Sequence, residues 1–257
     1  MTEASAAALA RLYDLDLEAD PGDLDLYLAL AARTGDPVLE LAVGTGRIAV
    51  PLAAAGHRVV GIDIDEAMLA RATARAVAAG ADARLEVLAG DVRTVRHPRA
   101  GEFGLAILAL SSLFLLGDRH EQAAAVHTLA AHLRPGGLAA IDVWLPDAED
   151  LARFDGRLIR EWVRRDPATD RVVTKTGSAL HDAATGVVRL TTVYEEGHQG
   201  EPAVRWVRED RLQLVTADAL AGFLEIAGLE VETLAGGYDL EPLQGGSERA
   251  VVVARKP

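Results

Sequence analysis

The sequence predicts an α/β protein built on a parallel sheet that is interrupted once by an antiparallel sheet. From Pro37 to Val143, short runs rich in Val, Ile and Leu alternate with longer Ala-rich amphipathic stretches. That is the pattern of strands buried on both faces and joined by crossover helices. After Pro146 the chain changes to alternating apolar and polar residues between turn clusters, as in an antiparallel sheet with one solvated face. A length of 257 residues, half of them hydrophobic, suits one large domain with an elaborated insertion.

Residues 4–14 and 24–33 read as two helices parted by the turn Asp20-Pro21-Gly22, placed to cover one end of the sheet. Strands follow over 38–43, 58–63, 84–89, 103–110 and 137–143, with helices over 46–55, 65–79 and 118–133. Asp118 caps the last helix and Pro135-Gly136-Gly137 stops it. In the insertion, strands over 158–165, 171–181, 187–196 and 203–215 are separated by Asp166-Pro167-Ala168-Thr169-Asp170, Asp182-Ala183-Ala184-Thr185-Gly186 and Gly197-His198-Gln199-Gly200. The α/β pattern resumes with Thr216 capping a helix that runs to Ala227 and ends at Gly228, then two strands over 229–234 and 250–254. The domain assignment is therefore 1–145 with 216–257 for the α/β part and its helical cover, and 146–215 for the antiparallel insertion.

Composition narrows the function. The balance of 26 basic and 39 acidic residues, a net charge of −13, argues against a partner made of phosphate backbone. Zero cysteines remove disulfides, thiolate metal sites and thiol nucleophiles. The start Met1-Thr2-Glu3-Ala4 has no basic leader, and the longest apolar run, 105–116, is broken by Ser111-Ser112 and is shorter than the roughly 18 residues of a membrane span. These features predict a cytoplasmic protein with no nucleic acid and no membrane as partner, and they leave room for a homodimer. His127 and His132 share a predicted helix five residues apart, which misses the spacing of two ligands on one face, so no metal is expected.

The chemistry concentrates in Val38-Leu39-Glu40-Leu41-Ala42-Val43-Gly44-Thr45-Gly46-Arg47, a strand running through a Gly-x-Gly turn into a helix. Glycine is needed there because the backbone must turn sharply and approach a ligand closely. The next strand ends at Asp63, where a carboxylate can accept both hydroxyls of a ribose. Asp65 suits the cap of the following helix better than Asp63 does. Gly44, Gly46, Ala49 and Asp63 also fit a nicotinamide site, but Lys175 and Lys256 have no Tyr four residues ahead to complete an oxidoreductase pair.

Residues 38–69 resemble motifs I and II of class I S-adenosylmethionine (SAM)-dependent methyltransferases, E-L-x-x-G-T-G-R and then G-x-D-x-x-x-x-M-L. Gly90-Asp91-Val92, the strand over 103–110 and Leu133-Arg134-Pro135-Gly136-Gly137-Leu138 resemble later motifs of the same family. The resemblance implies a Rossmann-like seven-stranded sheet with an inserted antiparallel β lid, and S-adenosylmethionine as cofactor. It implies that Glu40, Ala42, Gly44 and Gly46 line the methionine part, that Asp63 holds the ribose and that Ile64 and Met68 flank the adenine. Asp91 and the Val92 amide then read the adenine edge, and Leu108 lies in the strand over 103–110 that runs beside the methyl group. The chain departs from the family's pattern in having Ala42-Val43 where a glycine is common and Gly104 where an acid often begins the fourth strand.

The loop Ala109-Leu110-Ser111-Ser112-Leu113-Phe114-Leu115-Leu116 is similar to that of glycine and amino-sugar N-methyltransferases, with Leu115 where those enzymes commonly carry a histidine. The expected acceptor is an N or O nucleophile of a sugar or natural-product intermediate. A neutral amine needs no base, whereas a hydroxyl does. Base candidates are Glu195, His181, His198, Asp118, His120 and Tyr13, with Tyr13 favoured because Tyr13-Asp14 resembles a pair that closes over the cofactor in relatives. Ser111 and Ser112 are candidates for orienting the nucleophile or the sulfonium, and equally for capping the turn. Trp144 is a candidate pocket wall, while Trp162 and Trp206 suit sheet packing. Leu115 and Gly104 motivate one alternative, a non-methylating enzyme on the same fold, such as one catalysing a cyclisation or displacement, and a non-catalytic SAM-binding subunit is a further alternative.

Overall fold

The computed structural model describes residues 3–17, 21–198, 200 and 202–257. Along the chain the elements are α1 (Glu3–Asp16), α2 (Leu24–Thr34), β1 (Val38–Leu41), α3 (Ala49–Ala54), β2 (Val59–Asp63), α4 (Glu66–Ala78), β3 (Leu85–Ala89), β4 (Phe103–Leu108), α5 (Arg119–His132) and β5 (Leu133–Trp144). There follow α6 (Ala148–Arg153), β6 (Ile159–Arg165), β7 (Val172–Asp182), β8 (Val187–Gly197), β9 (Val204–Gln213), α7 (Ala217–Ile226), β10 (Glu230–Ala235) and β11 (Arg249–Arg255). Two compact units result: Asp20–Leu145 with Val215–Pro257, and Met1–Ala19 with Pro146–Leu214.

The larger unit is a seven-stranded sheet in the order β10-β11-β5-β4-β1-β2-β3. Its strands are parallel except β11, which runs antiparallel to both neighbours. β1 and β4 are buried along their whole length, so their residues are apolar on both faces except Glu40 of β1, which is buried with them. Strand order reverses between β1 and β4, and ligands of such sheets bind at that point, beyond the carboxyl ends. Caps hold the helices as the sequence predicts: Asp65 accepts the Ala67 and Met68 amides, Asp118 the Glu121 amide, and Thr216 the Ala219 amide.

The smaller unit holds the four antiparallel strands in the order β6-β7-β8-β9 together with α1. The sequence assigns α1 to the α/β domain, and the structure places it here instead. The reason is its apolar stripe: Leu9, Leu12 and Leu15 cluster with Val173 and Tyr194, and Trp162 and Trp206 pack against them. Polar ties follow the same face. Asp16 accepts Trp162 Nε1 at 2.8 Å and Lys175 Nζ at 2.6 Å, and Arg11 reaches Glu196 at 2.6 Å as well as Asp166. The short helix α6, with a capping box from Asp147 and Asp150, is an addition that the periodicity did not reveal.

Candidate active site

The turn after β1 is built on left-handed backbone. Ala42 has φ 55°, Gly44 54° and Gly46 78°. The first explains the missing family glycine: the chain keeps the glycine conformation on an alanine. Val43 fills the adjoining space, since a Cβ on Gly61 of β2 would meet Val43 Cγ2 at 2.7 Å. The two turn glycines serve different ends. A Cβ on Gly46 would press on Val50 and Ala72 at 3.0 and 3.1 Å, so Gly46 lets α3 and α4 pack, whereas at Gly44 nothing lies within 4 Å. Gly104 is likewise a packing residue, because any side chain there would strike the Gly35 carbonyl at 2.4 Å.

Asp63 ties β2 to this turn. Its Oδ2 accepts the Gly44 amide at 2.8 Å and its Oδ1 the Asp65 amide at 2.9 Å. Burial raises its carboxyl above the usual range, and those two amides pull it back. Each oxygen retains a second lone pair for a hydroxyl donor. Ile64, next in sequence, is 71% exposed. Met68 is buried in the first turns of α4.

Glu40 is buried in β1, and its Oε2 has no partner among the described residues. Burial pushes its carboxyl up to about 8, while Arg47 and the Ala49 amide pull it down. Arg47 itself grips the fully buried Asp23 by both terminal nitrogens, at 2.6 Å each. This fork was missed in the sequence, although the arginine of G-T-G-R and the acid of Pro21-Gly22-Asp23 were both in view.

At Asp91 the structure shows a partner that the sequence reading did not name. The carboxylate is held by its neighbour Arg93, at 2.9 Å from the amide and from Nε and 2.5 Å from Nη2, and the guanidinium pulls it below the usual range. Arg93 also reaches Glu121, whose other oxygen accepts the Gly117 amide at 2.7 Å. The i, i+2 spacing of Asp91 and Arg93 was the available signal.

The loop after β4 is pinned by a residue that sequence reasoning also missed. Asp142 of β5 is fully buried and accepts the Leu110 amide at 2.7 Å, Tyr27 OH at 2.8 Å, Tyr238 OH at 3.0 Å and Arg249 Nη1 at 2.8 Å. Burial and Asp142 together raise both tyrosines above their usual range, so they stay protonated donors. Leu110 and Ser111 are both left-handed, with φ 52° and 58°. Ser111 Oγ accepts the Trp144 amide at 2.8 Å, which ties the turn to the end of β5, and Ser112 Oγ donates to the Ala109 carbonyl at 2.7 Å inside the turn. Leu108 is buried, and Leu115 is 47% exposed. Its lone carboxylate in the run Ala139-Ala140-Ile141-Asp142-Val143 was the signal for Asp142.

The other candidates have structural roles or open positions. Asp118 is a cap, Glu195 pairs with Arg205 at 2.5 Å, and His120 and His198 are exposed. Tyr13 lies on α1 in the smaller unit, close enough to Arg208 to influence it. Among the described residues no group of three or more His, Asp or Glu is arranged to hold a metal, and no helix is long and apolar enough to cross a membrane.

A glycine turn open at Gly44, a buried acid with an unpartnered oxygen and a ribose-competent aspartate at the next strand end together fit a nucleoside cofactor with a cationic amino-acid end. Residues 38–137 match a family described as a methyltransferase domain. A dTDP-3-amino-3,4,6-trideoxy-alpha-D-glucopyranose N,N-dimethyltransferase of Streptomyces venezuelae is 30% identical over 89% of this chain and 92% of its own. A cypemycin N-terminal methyltransferase of Streptomyces sp is 28% identical over 86% and 84%. Among solved structures, the CcbJ methyltransferase of Streptomyces caelestis shares the fold at TM-score 0.76 and 23% identity, covering 93% of this chain and 97% of that one. DesVI of Streptomyces venezuelae does so at TM-score 0.75 and 22%, covering 100% and 99%. The chain belongs to the S-adenosylmethionine-dependent methyltransferases, and S-adenosylmethionine is its cofactor.

Proposed function

We propose that the acceptor is an amine of a small molecule, and that the cofactor lies across the turn 42–46 with Glu40, Ala42 and Gly44 at its methionine end and Asp63 at its ribose. When bound, S-adenosylmethionine supplies an electrophilic methyl on a sulfonium. The residues of this chain then bind, orient and exclude water. The apolar, half-exposed Leu115 carries the choice of an amine: it offers no base in the loop beside the reacting centre, and a neutral amine requires none. Ser112 gives its hydroxyl proton to the Ala109 carbonyl and Ser111 Oγ accepts the Trp144 amide, which favours a nucleophile that arrives deprotonated.

The relatives support the reading, since their names specify methylation of an amino sugar and of a peptide N terminus. A small molecule rather than a nucleic acid accords with 39 acidic against 26 basic residues. Ile64 and Met68 flank the adenine in this reading, and Ser111 with Trp144 shapes the acceptor side. The test is a methyl-transfer assay with a dTDP-amino sugar, a short peptide with a free N terminus and the corresponding hydroxyl compounds, following S-adenosylhomocysteine. Methylation of an amine with rate rising as its conjugate acid loses a proton supports the reading. Turnover of the hydroxyl compounds alone refutes it.

A further inference from the structure

Glu40 stands in β1 between Gly61 of β2 and Ile107 of β4, neither of which can solvate a charge. The residue is only 4% exposed. Its carboxyl receives one amide, that of Ala49, and Oε2 receives nothing from the described residues. An ionised carboxylate in such a place costs several kcal/mol unless it is paired. Three charged groups face it: Arg47 from the turn after β1, Asp23 ahead of α2 and Asp63 at the end of β2. Arg47 gives both terminal nitrogens to Asp23, so its charge is shared between the two acids. Two carboxylates and one shared guanidinium leave a negative Glu40 only partly compensated.

Resting on the placement of the cofactor above, we infer that Glu40 is a proton-linked counter-charge for the cofactor's cationic amino-acid end, neutral when no cation is near and ionised when one arrives. The O–H bond breaks, the electron pair stays on the carboxylate, and the proton passes to solvent. Loading the site with a cation therefore releases one proton. The open oxygen supplies the geometry, and the carboxyl's elevation to about 8 by burial places the event near neutral pH. Glu40 is in this sense a specificity residue: it attracts a sulfonium or an ammonium only by giving up its proton, and a ligand without a cation in that position gains nothing from it.

The experiment is isothermal titration of the full chain with S-adenosylmethionine at pH 7 in phosphate, Hepes and Tris, whose ionisation enthalpies differ. The slope of the apparent enthalpy against buffer enthalpy counts protons. Expected are close to one proton released by the wild-type chain and none by Glu40→Gln. The wild-type Kd should fall by up to about tenfold per pH unit between pH 6 and pH 8, and the variant's should stay flat. S-adenosylhomocysteine keeps the ammonium and lacks the sulfonium, so release with both ligands assigns the ammonium, and release with S-adenosylmethionine alone assigns the sulfonium. Tight binding with zero slope overturns the inference and leaves the cofactor placement standing, as does an equal slope in the variant. Failure of the wild-type chain to bind either ligand overturns the placement and the inference together. A wild-type count of zero overturns the inference even if the variant does not fold.

Discussion

The buried carboxylate of Asp142 accepts the backbone amide of Leu110 at 2.7 Å and thereby holds the turn after β4 in a left-handed conformation. Consecutive non-glycine residues at positive φ cost of order 1–2 kcal/mol each, so something must over-determine them. Asp142 does so while also collecting Tyr27, Tyr238 and Arg249 from α2, the segment after β10 and β11. Removing it leaves a partly buried cation and several unsatisfied donors. Asp142→Ala should lower stability by about 3–5 kcal/mol, whereas Tyr238→Phe, which removes one donor, should cost about 1 kcal/mol. Urea unfolding of both variants checks the ratio; equal losses would contradict the hub.

Ala42 makes the opposite prediction. It holds φ 55° without a glycine's freedom. Replacing it by glycine relieves roughly 1–2 kcal/mol of strain and gives back about 0.5–1 kcal/mol in unfolded-state entropy. Ala42→Gly should therefore stabilise the protein by a few tenths to about 1 kcal/mol, and Ala42→Val should destabilise it. A glycine variant less stable than the parent in thermal unfolding would show that the turn is not strained.

Asp63 couples cofactor affinity to the shape of the turn, because the carboxylate proposed to receive the ribose also receives Gly44 and Asp65. Asp63→Ala should weaken S-adenosylmethionine binding by about 1–3 kcal/mol. Asp63→Asn keeps one acceptor and presents an NH2 to one of the two amides, so it should also lose affinity. Unchanged Kd in the alanine variant would remove Asp63 from the site.

His132 predicts an acid limit in the larger unit. Its Nε2 accepts the His97 amide at 3.0 Å and its Nδ1 faces the Thr128 carbonyl at 2.7 Å, which requires the neutral ring protonated at Nδ1. Burial lowers its pKa below the unfolded value. A group depressed in the folded state contributes stability above the unfolded pKa, near 6.5, that is lost as pH falls through the folded one. The melting temperature should therefore drop between pH 7 and pH 5, and His132→Leu should start lower but show a shallower decline. An unchanged pH slope in the variant would place the acid sensitivity elsewhere.

Much of this was legible along the chain because periodicity reports burial directly. Strands buried on both faces produced the runs at 38–41, 59–63 and 103–108, and caps such as Asp65 and Asp118 marked helix starts. The Gly44 turn and Asp63 were legible because each stands in a local pattern, a glycine turn after one strand and an acid at the end of the next. The partner of α1 was not, since its stripe of leucines says only that it is covered. Leu9, Leu12 and Leu15 found Val173, Tyr194 and the two tryptophans more than a hundred residues away.

The sequence by itself determined the α/β class, the glycine turn, the aspartate at the end of β2 and the family these imply, because each is a local pattern of residue size, polarity and backbone freedom. Only the tertiary structure decided which charges compensate one another. Arg47 turned to Asp23, Arg93 to Asp91, and Asp142 gathered donors from four separate segments. Those choices left Glu40 with an open oxygen. The physical reason is that an ion pair depends on distance and burial in space, and the order of residues along the chain records neither.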